Sequence, residues 1–302
     1  MRILITGAGG MLGTDLISYL RAGHQLIAVG REAVTNSEIS FHQVDLSKSK
    51  IVHDLLTSIH PEVVLHSAAM TDVDGCETHR FEALRDNLEA TRNITEASNR
   101  VAALVIFYST DFVFDGNKSE PYQEIDLPHP VSVYGQTKLL AERYLFTRGK
   151  RFVILRTSWL FGKAGNNFPR KILKQAEIGK SFPVISDQFG NPTFTGDLAE
   201  ATGKIVKQLC QKNQGAENQV YHVANEGVVS RFEFARTVLR KKNYPTELVK
   251  PISTDEAPKR LARRPKNSAL STEKIKERFG IRLRHWEEAL NSFLQEEIKL
   301  TV

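Results

Sequence analysis

Tyr134 and Lys138 are the first pair of residues whose types and spacing could do chemistry. They stand four residues apart in Val-Tyr-Gly-Gln-Thr-Lys, a spacing that places two side chains on one face of a helix. An ammonium group near a phenol favours the phenolate, so we expect Lys138 to lower the pKa of Tyr134 and make it a usable acid for a carbonyl oxygen. Lys138 is also placed to hold a nicotinamide ribose. With seven tyrosines in the chain, the spacing alone is close to chance.

Hydroxyl groups near this pair strengthen the prediction. The apolar run 103–108 ends in Ser109, Thr110 and Asp111, and open α/β sheets bind ligands beyond the carboxyl ends of their strands. A Thr110 hydroxyl at that edge could donate a hydrogen bond to a developing alkoxide. The alternative is that these strand-end hydroxyls only cap a turn.

A glycine-rich loop near the N-terminus predicts a dinucleotide site. Gly7, Gly10 and Gly13 follow the first strand and open a helix, with Met11 and Leu12 between them. The first glycine permits the tight turn, the second allows the backbone close to a pyrophosphate, and the third lets helix and strand pack closely. The bare motif is weak, but its place between strand and helix makes it strong. A purely structural turn is the alternative.

The adenosine end of this site is less clearly marked. After the second strand, Arg31 could pair with a 2′-phosphate and favours NADP, whereas the adjacent Glu32 could serve NAD. Asp45 and Leu46, at the end of the third strand, are placed to touch adenine. Capping of the next helix explains Asp45 equally well.

The elements that must position these residues alternate between strand and helix. Apolar or β-branched runs predict strands at 2–6, 25–29, 41–44, 63–66, 103–108 and 151–156, and helical periodicity covers 11–22, 50–59, 80–100 and 133–147. This pattern predicts a doubly wound parallel sheet of the Rossmann type with a smaller, mostly helical C-terminal substrate lobe. We assign 1–159 to the dinucleotide-binding domain, to which 193–224 returns, and 160–192 and 225–302 to the substrate lobe.

Bulk composition excludes several classes of protein. Apolar residues make up 41% and charged residues 25% of the 302-residue chain, as in an ordinary globular protein. No apolar run approaches the roughly 20 residues of a membrane span, and no signal peptide is evident, so we expect a cytoplasmic protein. Cys76 and Cys210 are too few for a disulfide framework, and we predict no metal site. The net charge of +6 is scattered, which disfavours nucleic acid and suits an anionic small substrate.

Several motifs in the same order along almost the whole chain resemble one family. They comprise the glycine loop, Ser109-Thr110-Asp111-Phe112-Val113-Phe114-Asp115-Gly116, Tyr134-Gly135-x-x-Lys138, Arg156-Thr157-Ser158-Trp159, Asn166-Asn167-Phe168, Asp187-Gln188-Phe189-Gly190-x-Pro192-Thr193 and Arg264-Pro265-x-Asn267-Ser268. Together they look like the extended short-chain dehydrogenase/reductases, specifically the dTDP-4-dehydrorhamnose reductases.

The resemblance implies reduction of the 4-keto group of dTDP-6-deoxy-L-lyxo-4-hexulose by NADPH or NADH, which yields dTDP-L-rhamnose for polysaccharide biosynthesis. It implies that Tyr134 is the proton donor, that Lys138 is its partner and ribose ligand, and that Thr110 orients the keto oxygen. Further cofactor contacts are implied at Ala68, Ala69, Thr71 and Ser158. Substrate contacts are implied at Asp111, Trp159, Asn167 and Arg264, and a homodimer is left open.

Other functions stay open beside this one. Mild departures from the family pattern between Ser67 and Glu77 leave another 4-keto sugar nucleotide open as the substrate. A dehydratase is disfavoured because Phe112 stands where that family has a glutamate. A non-catalytic NADP-binding subunit, similar to the methionine adenosyltransferase β-subunit, shares the fold. We also expect at least one arginine of the run Arg260, Arg263 and Arg264 to face the substrate diphosphate.

Overall fold

The computed structural model describes residues 1–32, 39–211 and 214–300. Its strands in chain order are β1 (Arg2–Thr6), β2 (Gln25–Gly30), β3 (Ser40–Gln43), β4 (Val63–His66), β5 (Leu104–Thr110), β6 (Phe152–Thr157), β7 (Leu160–Phe161), β8 (Phe182–Ile185), β9 (Phe189–Gly190), β10 (Thr193–Phe194), β11 (Gln219–His222), β12 (Val229–Ser230) and β13 (Val249–Ile252). Its helices are α1 (Met11–Leu20), α2 (Ser49–Ile59), α3 (Val73–Thr78), α4 (Arg80–Leu84), α5 (Ala90–Arg100), α6 (Val133–Arg148), α7 (Phe168–Glu177), α8 (Thr195–Cys210), α9 (Arg231–Lys241), α10 (Glu273–Phe279) and α11 (Trp286–Leu300).

Seven parallel strands form the central sheet in the order β11-β6-β5-β4-β1-β2-β3. The inner strands are apolar on both faces because helices cover both sides, and one hydrophobic core lies on each face of the sheet. The strand order reverses beside β1. The carboxyl ends of β1, β4, β5 and β6 therefore open onto a crevice of the kind where doubly wound folds bind ligands. The predicted Rossmann fold is confirmed.

One predicted helix, 80–100, is interrupted. A π-helical segment, Arg85–Glu89, separates α4 from α5. Inside it Asn87 is buried, and its side chain bonds the backbone N–H and C=O of Met70 and the hydroxyl of Thr137. These bonds anchor the wider turn to the segment that follows β4, and a π segment inside a helix often accompanies a functional site.

The second lobe is built from short strand pairs and helices. β8 pairs with β13, β9 with β12, and β7 with β10, each as a separate two-stranded sheet. These elements pack with α7, α9 and α11 around an aromatic core that includes Phe161, Phe234 and Phe293. β11 pairs with β6, so the chain crosses back to the central sheet before it continues into this lobe. The exact division between the two domains stays a prediction. The last two residues of the predicted substrate lobe, 301–302, lie outside the described residues.

No helix among the described residues is long and apolar enough to cross a membrane. Over the same residues, no group of three or more His, Cys, Asp or Glu side chains is arranged to hold a metal ion.

Candidate active site

A cavity of about 730 Å³ opens at the carboxyl ends of the central strands. Two lobes contribute to its wall, because α9 supplies Arg231, whereas the central strands, the loops after them, α1 and α6 supply most of the other lining residues. Most of the residues predicted from the sequence line it: Gly7, Gly10, Met11, Leu12, Gly13, Arg31, Ala68, Ala69, Thr71, Thr110, Asp111, Tyr134, Lys138, Ser158 and Trp159. Four predicted residues, Asp45, Leu46, Asn167 and Arg264, do not line this cavity.

The glycine loop has the geometry of a phosphate cradle. Gly7 has a φ of 66°, and a Cβ there would stand 2.8 Å from the backbone nitrogen of Ala68. A Cβ on Gly13 would stand 2.2 Å from the carbonyl oxygen of Gly7, so only glycine lets α1 approach β1 this closely. α1 begins without a side-chain cap and without an acidic residue in its first turn. No side chain caps its first N–H groups, and Met11, Leu12 and Gly13 line the cavity, an arrangement that fits the pyrophosphate of a dinucleotide.

The adenosine end carries two residues of opposite charge. Arg31 and Glu32 both line the cavity, and the Arg31 guanidinium lies 2.9 Å from the Asp86 carboxylate. Asp45 accepts a hydrogen bond from the backbone N–H of Ser47 at 3.0 Å. The N-cap position of α2 is Lys48, so the alternative prediction, that Asp45 caps this helix, is wrong. Leu46 is buried in the core beneath the sheet. A cofactor role for Asp45 and Leu46 stays a prediction.

Lys138 lies in the cavity wall, where the backbone of β5 and a ring hold its ammonium group. Its side chain is only 3% exposed, its ammonium donates to the Tyr108 carbonyl at 2.7 Å, and the same ammonium lies 4.1 Å from the Phe107 ring centroid. Burial lowers the pKa of Lys138 to about 7, although the Glu142 carboxylate one helical turn away opposes that shift. A lysine with such a pKa changes its charge within the physiological range.

Tyr134 lies on the same helix face, in the cavity wall. α6 is capped by Ser132, whose hydroxyl accepts from the Gly135 N–H at 3.2 Å. The Phe112 ring packs edge-on against the phenol at 5.9 Å between centroids. Burial raises the pKa of Tyr134, while a hydrogen bond with Thr110 lowers it. The predicted lowering of the Tyr134 pKa is therefore wrong, because burial raises this pKa by more than the hydrogen bond with Thr110 lowers it.

Thr110 and Asp111 close the site on the β5 side. The Thr110 hydroxyl donates to the Asp111 carboxylate at 3.0 Å and accepts from the Phe112 N–H at 3.2 Å. Burial raises the pKa of Asp111 to about 6, and the charge of Arg231 partly opposes that shift. Thr110 thus lies between the Tyr134 phenol and the Asp111 carboxyl group. With a pKa of about 6, Asp111 gains a proton in mildly acidic solution.

The buried ion pair between Glu142 and Arg156 was not predicted from the sequence. The Glu142 carboxylate accepts from Arg156 at 2.6 and 3.0 Å and from the Ser109 hydroxyl at 2.5 Å. Both charged side chains are nearly inaccessible, at 4% for Arg156 and 2% for Glu142. Glu142 lies on α6, one turn after Lys138. Its bonds to Ser109 and Arg156 therefore tie the helix that carries Tyr134 to the ends of β5 and β6. In the sequence, Glu142 follows Lys138 at the same spacing of four residues that separates Lys138 from Tyr134. This spacing indicates that Glu142 lies on the same helix face.

Trp159 and Arg231 form the wall nearest the second lobe. The Trp159 backbone is left-handed, with a φ of 46°, and the Arg231 guanidinium carbon lies 3.5 Å from its ring centroid. Ser158 donates its hydroxyl hydrogen to the Asn191 carbonyl at 2.7 Å. Arg231 was not predicted, since nothing near it in the sequence marks it as a site residue.

Asn167 and Arg264 are engaged elsewhere. Asn167 caps α7, accepting from the Arg170 N–H at 3.1 Å and donating to the Gly162 carbonyl at 2.8 Å. Arg264 forms a bidentate pair with Asp74, at 2.6 and 3.1 Å, which holds the segment before it against α3. Substrate contacts by these two residues stay predictions.

Known proteins resemble this chain along its whole length. The family model described as the RmlD substrate binding domain matches residues 1–298. A dTDP-4-dehydrorhamnose reductase of Aggregatibacter actinomycetemcomitans is 36% identical over 296 residues, which cover 96% of this chain and 97% of the relative.

Two solved structures share its fold closely. A dTDP-4-dehydrorhamnose reductase of Clostridium acetobutylicum superposes with a TM-score of 0.89 at 31% identity, over 98% of this chain and 99% of that chain. The corresponding reductase of Bacillus anthracis, solved in complex with NADP, has a TM-score of 0.87 at 31% identity and the same coverage.

Proposed function

The chain belongs to the RmlD substrate binding domain family of dTDP-4-dehydrorhamnose reductases, and from that premise we propose that it reduces the 4-keto group of dTDP-4-dehydro-L-rhamnose to give dTDP-L-rhamnose. It is an oxidoreductase with a Rossmann fold that uses NADP, with NAD as a second candidate. A reduced nicotinamide dinucleotide whose pyrophosphate lies at the glycine loop would supply the hydride for the carbonyl carbon.

One observation carries the proposal: Thr110, Tyr134 and Lys138 share the wall of the cavity that the uncapped glycine loop also lines. In the proposed reaction the keto oxygen accepts hydrogen bonds from Thr110 and Tyr134. Tyr134 then transfers its phenolic proton to that oxygen as the carbon is reduced, so the product hydroxyl carries the tyrosine proton. The raised pKa of Tyr134 keeps the phenol protonated before the reaction, as an acid requires.

Lys138 would serve the reaction as a charge below the phenol. Its ammonium is fixed by the Tyr108 carbonyl, so a cation stands near the phenolate as Tyr134 loses its proton. Asp111 and Trp159 are proposed substrate contacts beside the sugar. Asn167 and Arg264 are weaker candidates because both side chains already have partners.

The alternatives have less support. Phe112 packs on Tyr134 and offers no carboxylate to remove a C5 proton, which a 4,6-dehydratase needs. A purely regulatory NADP-binding subunit would have no need of a threonine, tyrosine and lysine arranged around one cavity wall. A cytoplasmic location, a homodimer and a role in polysaccharide biosynthesis remain predictions.

The direct test is oxidation of NADPH by the purified protein with the dTDP-4-keto sugar, with the product identified by NMR. We expect Tyr134→Phe to lower kcat by about 10²–10⁴-fold while NADPH binding is kept. Tyr144→Phe is the matched control, because Tyr144 lies on the same helix with its hydroxyl on Glu96, and its kcat should stay native. A native kcat for Tyr134→Phe would overturn the proposed mechanism.

A further inference from the structure

Arg231 brings a positive charge into the cavity from the second lobe. It is the first residue of α9, and its guanidinium carbon lies over the Trp159 ring, 3.5 Å from the ring centroid. A second aromatic ring, Phe168, lies 5.2 Å from the same guanidinium carbon. Two aromatic rings therefore lie against the guanidinium, and Arg231 also lines the cavity, where its N–H groups can meet a ligand.

Within the described parts of the chain, no carboxylate pairs with this guanidinium. The salt bridges there engage other arginines, such as Arg264 with Asp74 and Arg156 with Glu142. Around Arg231, Asp111 attracts its charge, whereas Arg260 and Arg264 repel it. Burial, helped by this repulsion, lowers the pKa of Arg231 to about 9. A desolvated cation is costly unless it gains a partner, and the cavity is the side on which a partner can arrive.

The neighbours of Arg231 hold it in this place. Trp159 keeps a left-handed backbone, and its indole occupies the space above Gly190, where a Cβ would stand 2.6 Å from the ring. The indole therefore packs directly against the Gly190 backbone and cannot move toward β9 without a clash. Its position in turn fixes the position of the Arg231 guanidinium. Backbone strain of this kind is kept only where the surrounding structure imposes it.

We propose that Arg231 binds a phosphate oxygen of the substrate diphosphate and so selects a nucleotide sugar over a free sugar. The planar guanidinium matches two phosphate oxygens at once. This contact was expected from at least one of Arg260, Arg263 and Arg264, but none of the three lines the cavity, and Arg264 is paired with Asp74. A contact of these three arginines with the diphosphate stays a prediction. This inference rests on the proposed function in one respect, because it takes the anion to be the diphosphate of a dTDP-sugar.

Calorimetric binding of dTDP, which needs no turnover, tests the inference. Arg231→Met keeps an apolar chain against Trp159 and removes the charge, and we expect it to raise the Kd for dTDP by about 10–100-fold. Arg231→Lys should fall between the two, since it keeps the charge but not the fork. The matched control is Arg236→Met on the same helix, where Arg236 pairs with Glu233 at the surface and dTDP should bind as in the native chain.

NADPH titrations of the same variants separate the two sources of phosphate. We expect native NADPH affinity in Arg231→Met, which also reports that the fold is intact. A native Kd for dTDP in Arg231→Met overturns the proposal, and so does a loss confined to NADPH, which would assign Arg231 to the cofactor. If the native chain fails to reduce the dTDP-4-keto sugar but Arg231→Met still weakens dTDP binding, the proposed function fails and the Arg231 site stands.

Discussion

At the scale of single residues, burial decides the charge of the groups that face the cavity. Lys138 and Tyr134 are on one helix face, yet the pKa of Lys138 is lowered and that of Tyr134 is raised. Both shifts favour the neutral form, as loss of solvation requires. An acid that keeps its proton and a lysine that titrates near pH 7 are both suited to reduction at neutral pH.

The lysine shift predicts how cofactor affinity depends on pH. Lys138 is cationic below its pKa of about 7 and loses that charge above it, whereas an anionic dinucleotide bound nearby favours the charged form. The affinity for NADPH should therefore fall as pH rises from 7, by at most about tenfold per pH unit. Fluorescence titration across this range should give a flatter profile for Lys138→Met. Parallel profiles for the two proteins would exclude Lys138 as the titrating group.

At the scale of elements, one buried carboxylate holds the catalytic helix to the sheet. Glu142 on α6 reaches Ser109 on β5 and Arg156 on β6, next to Thr110 in one direction and to Thr157 and Ser158 in the other. A shift of α6 along the sheet would break these bonds. The bonds of Glu142 to Ser109 and Arg156 therefore fix the distance between Tyr134 and the ends of β5 and β6 that line the cavity.

Removal of one side chain of the Glu142–Arg156 pair should lower the free energy of unfolding more than removal of both. Glu142→Leu leaves the Arg156 guanidinium buried without its partner, and we expect it to lower the free energy of unfolding by about 3–5 kcal/mol. The double variant with Arg156→Leu should lose less, because no uncompensated charge remains. Denaturant unfolding of the two single variants and the double variant checks this. Additive losses would mean that the two side chains do not act as a pair.

A glycine in β9 should control the substrate wall. A Cβ at Gly190 would meet the Trp159 indole, so Gly190→Ala should displace the ring and Arg231 with it. We expect a KM for the sugar nucleotide raised by about tenfold with little change in NADPH affinity. Gly23→Ala is the control, since a Cβ there meets nothing within 4 Å. The idea fails if both variants keep the native KM.

The sequence predicts well those parts of the site that neighbouring residues build. The turn at Gly7 and the pairing of Tyr134 with Lys138 depend on local spacing, and the regular alternation of elements predicts the sheet. The break at Arg85–Glu89 was not predicted because helical periodicity continues through it, while its cause is the long-range bonding of Asn87 to Met70 and Thr137. Such a break depends on a partner that only the folded chain supplies.

At the scale of the whole molecule, long-range packing places residues that no local pattern marks. Arg231 reaches the cavity because α9 packs in the second lobe beside Trp159, whereas Arg264 is paired with Asp74 and does not line the cavity. Both outcomes depend on how the second lobe meets the central sheet. The predicted arginine for the diphosphate could therefore not be assigned from local sequence, because only the folded chain shows that Arg231 lines the cavity and that Arg264 is paired with Asp74.

Buried histidines on the central sheet couple the stability of the molecule to pH. His66 on β4 is bonded to Thr6 and Thr91, and His222 on β11 contacts the Tyr122 carbonyl. Burial lowers the pKa of each to about 3 from the ordinary value of 6.5. Between these values the unfolded chain binds two protons that the folded chain does not, so stability decreases as pH falls.

Asp111 acts in the opposite direction over part of this range. Its folded pKa of about 6 exceeds the ordinary 3.8, so the folded chain there holds one proton that the unfolded chain lacks. Glu124, whose pKa burial also raises, adds to this opposition. Two histidine protons against the one on Asp111 leave a loss of about 1.4 kcal/mol of unfolding free energy per pH unit from these three groups between about pH 6 and 4.5. Carboxyl groups whose pKa is lowered in the folded chain, such as Glu226, add to this loss at the acidic end of the range.

Asp111→Asn should make the protein more sensitive to acid. The variant removes the opposing proton, so its unfolding free energy should fall more steeply than the native one, by about 1.4 kcal/mol more per pH unit. His222→Asn should instead flatten the native dependence by the same amount, because one of the two histidine protons is gone. Urea unfolding at several pH values between about 6 and 4.5 measures all three slopes. Equal slopes in the native chain and Asp111→Asn would mean that Asp111 is already ionised across this range, and that the carboxyl beside Thr110 faces the substrate as an anion.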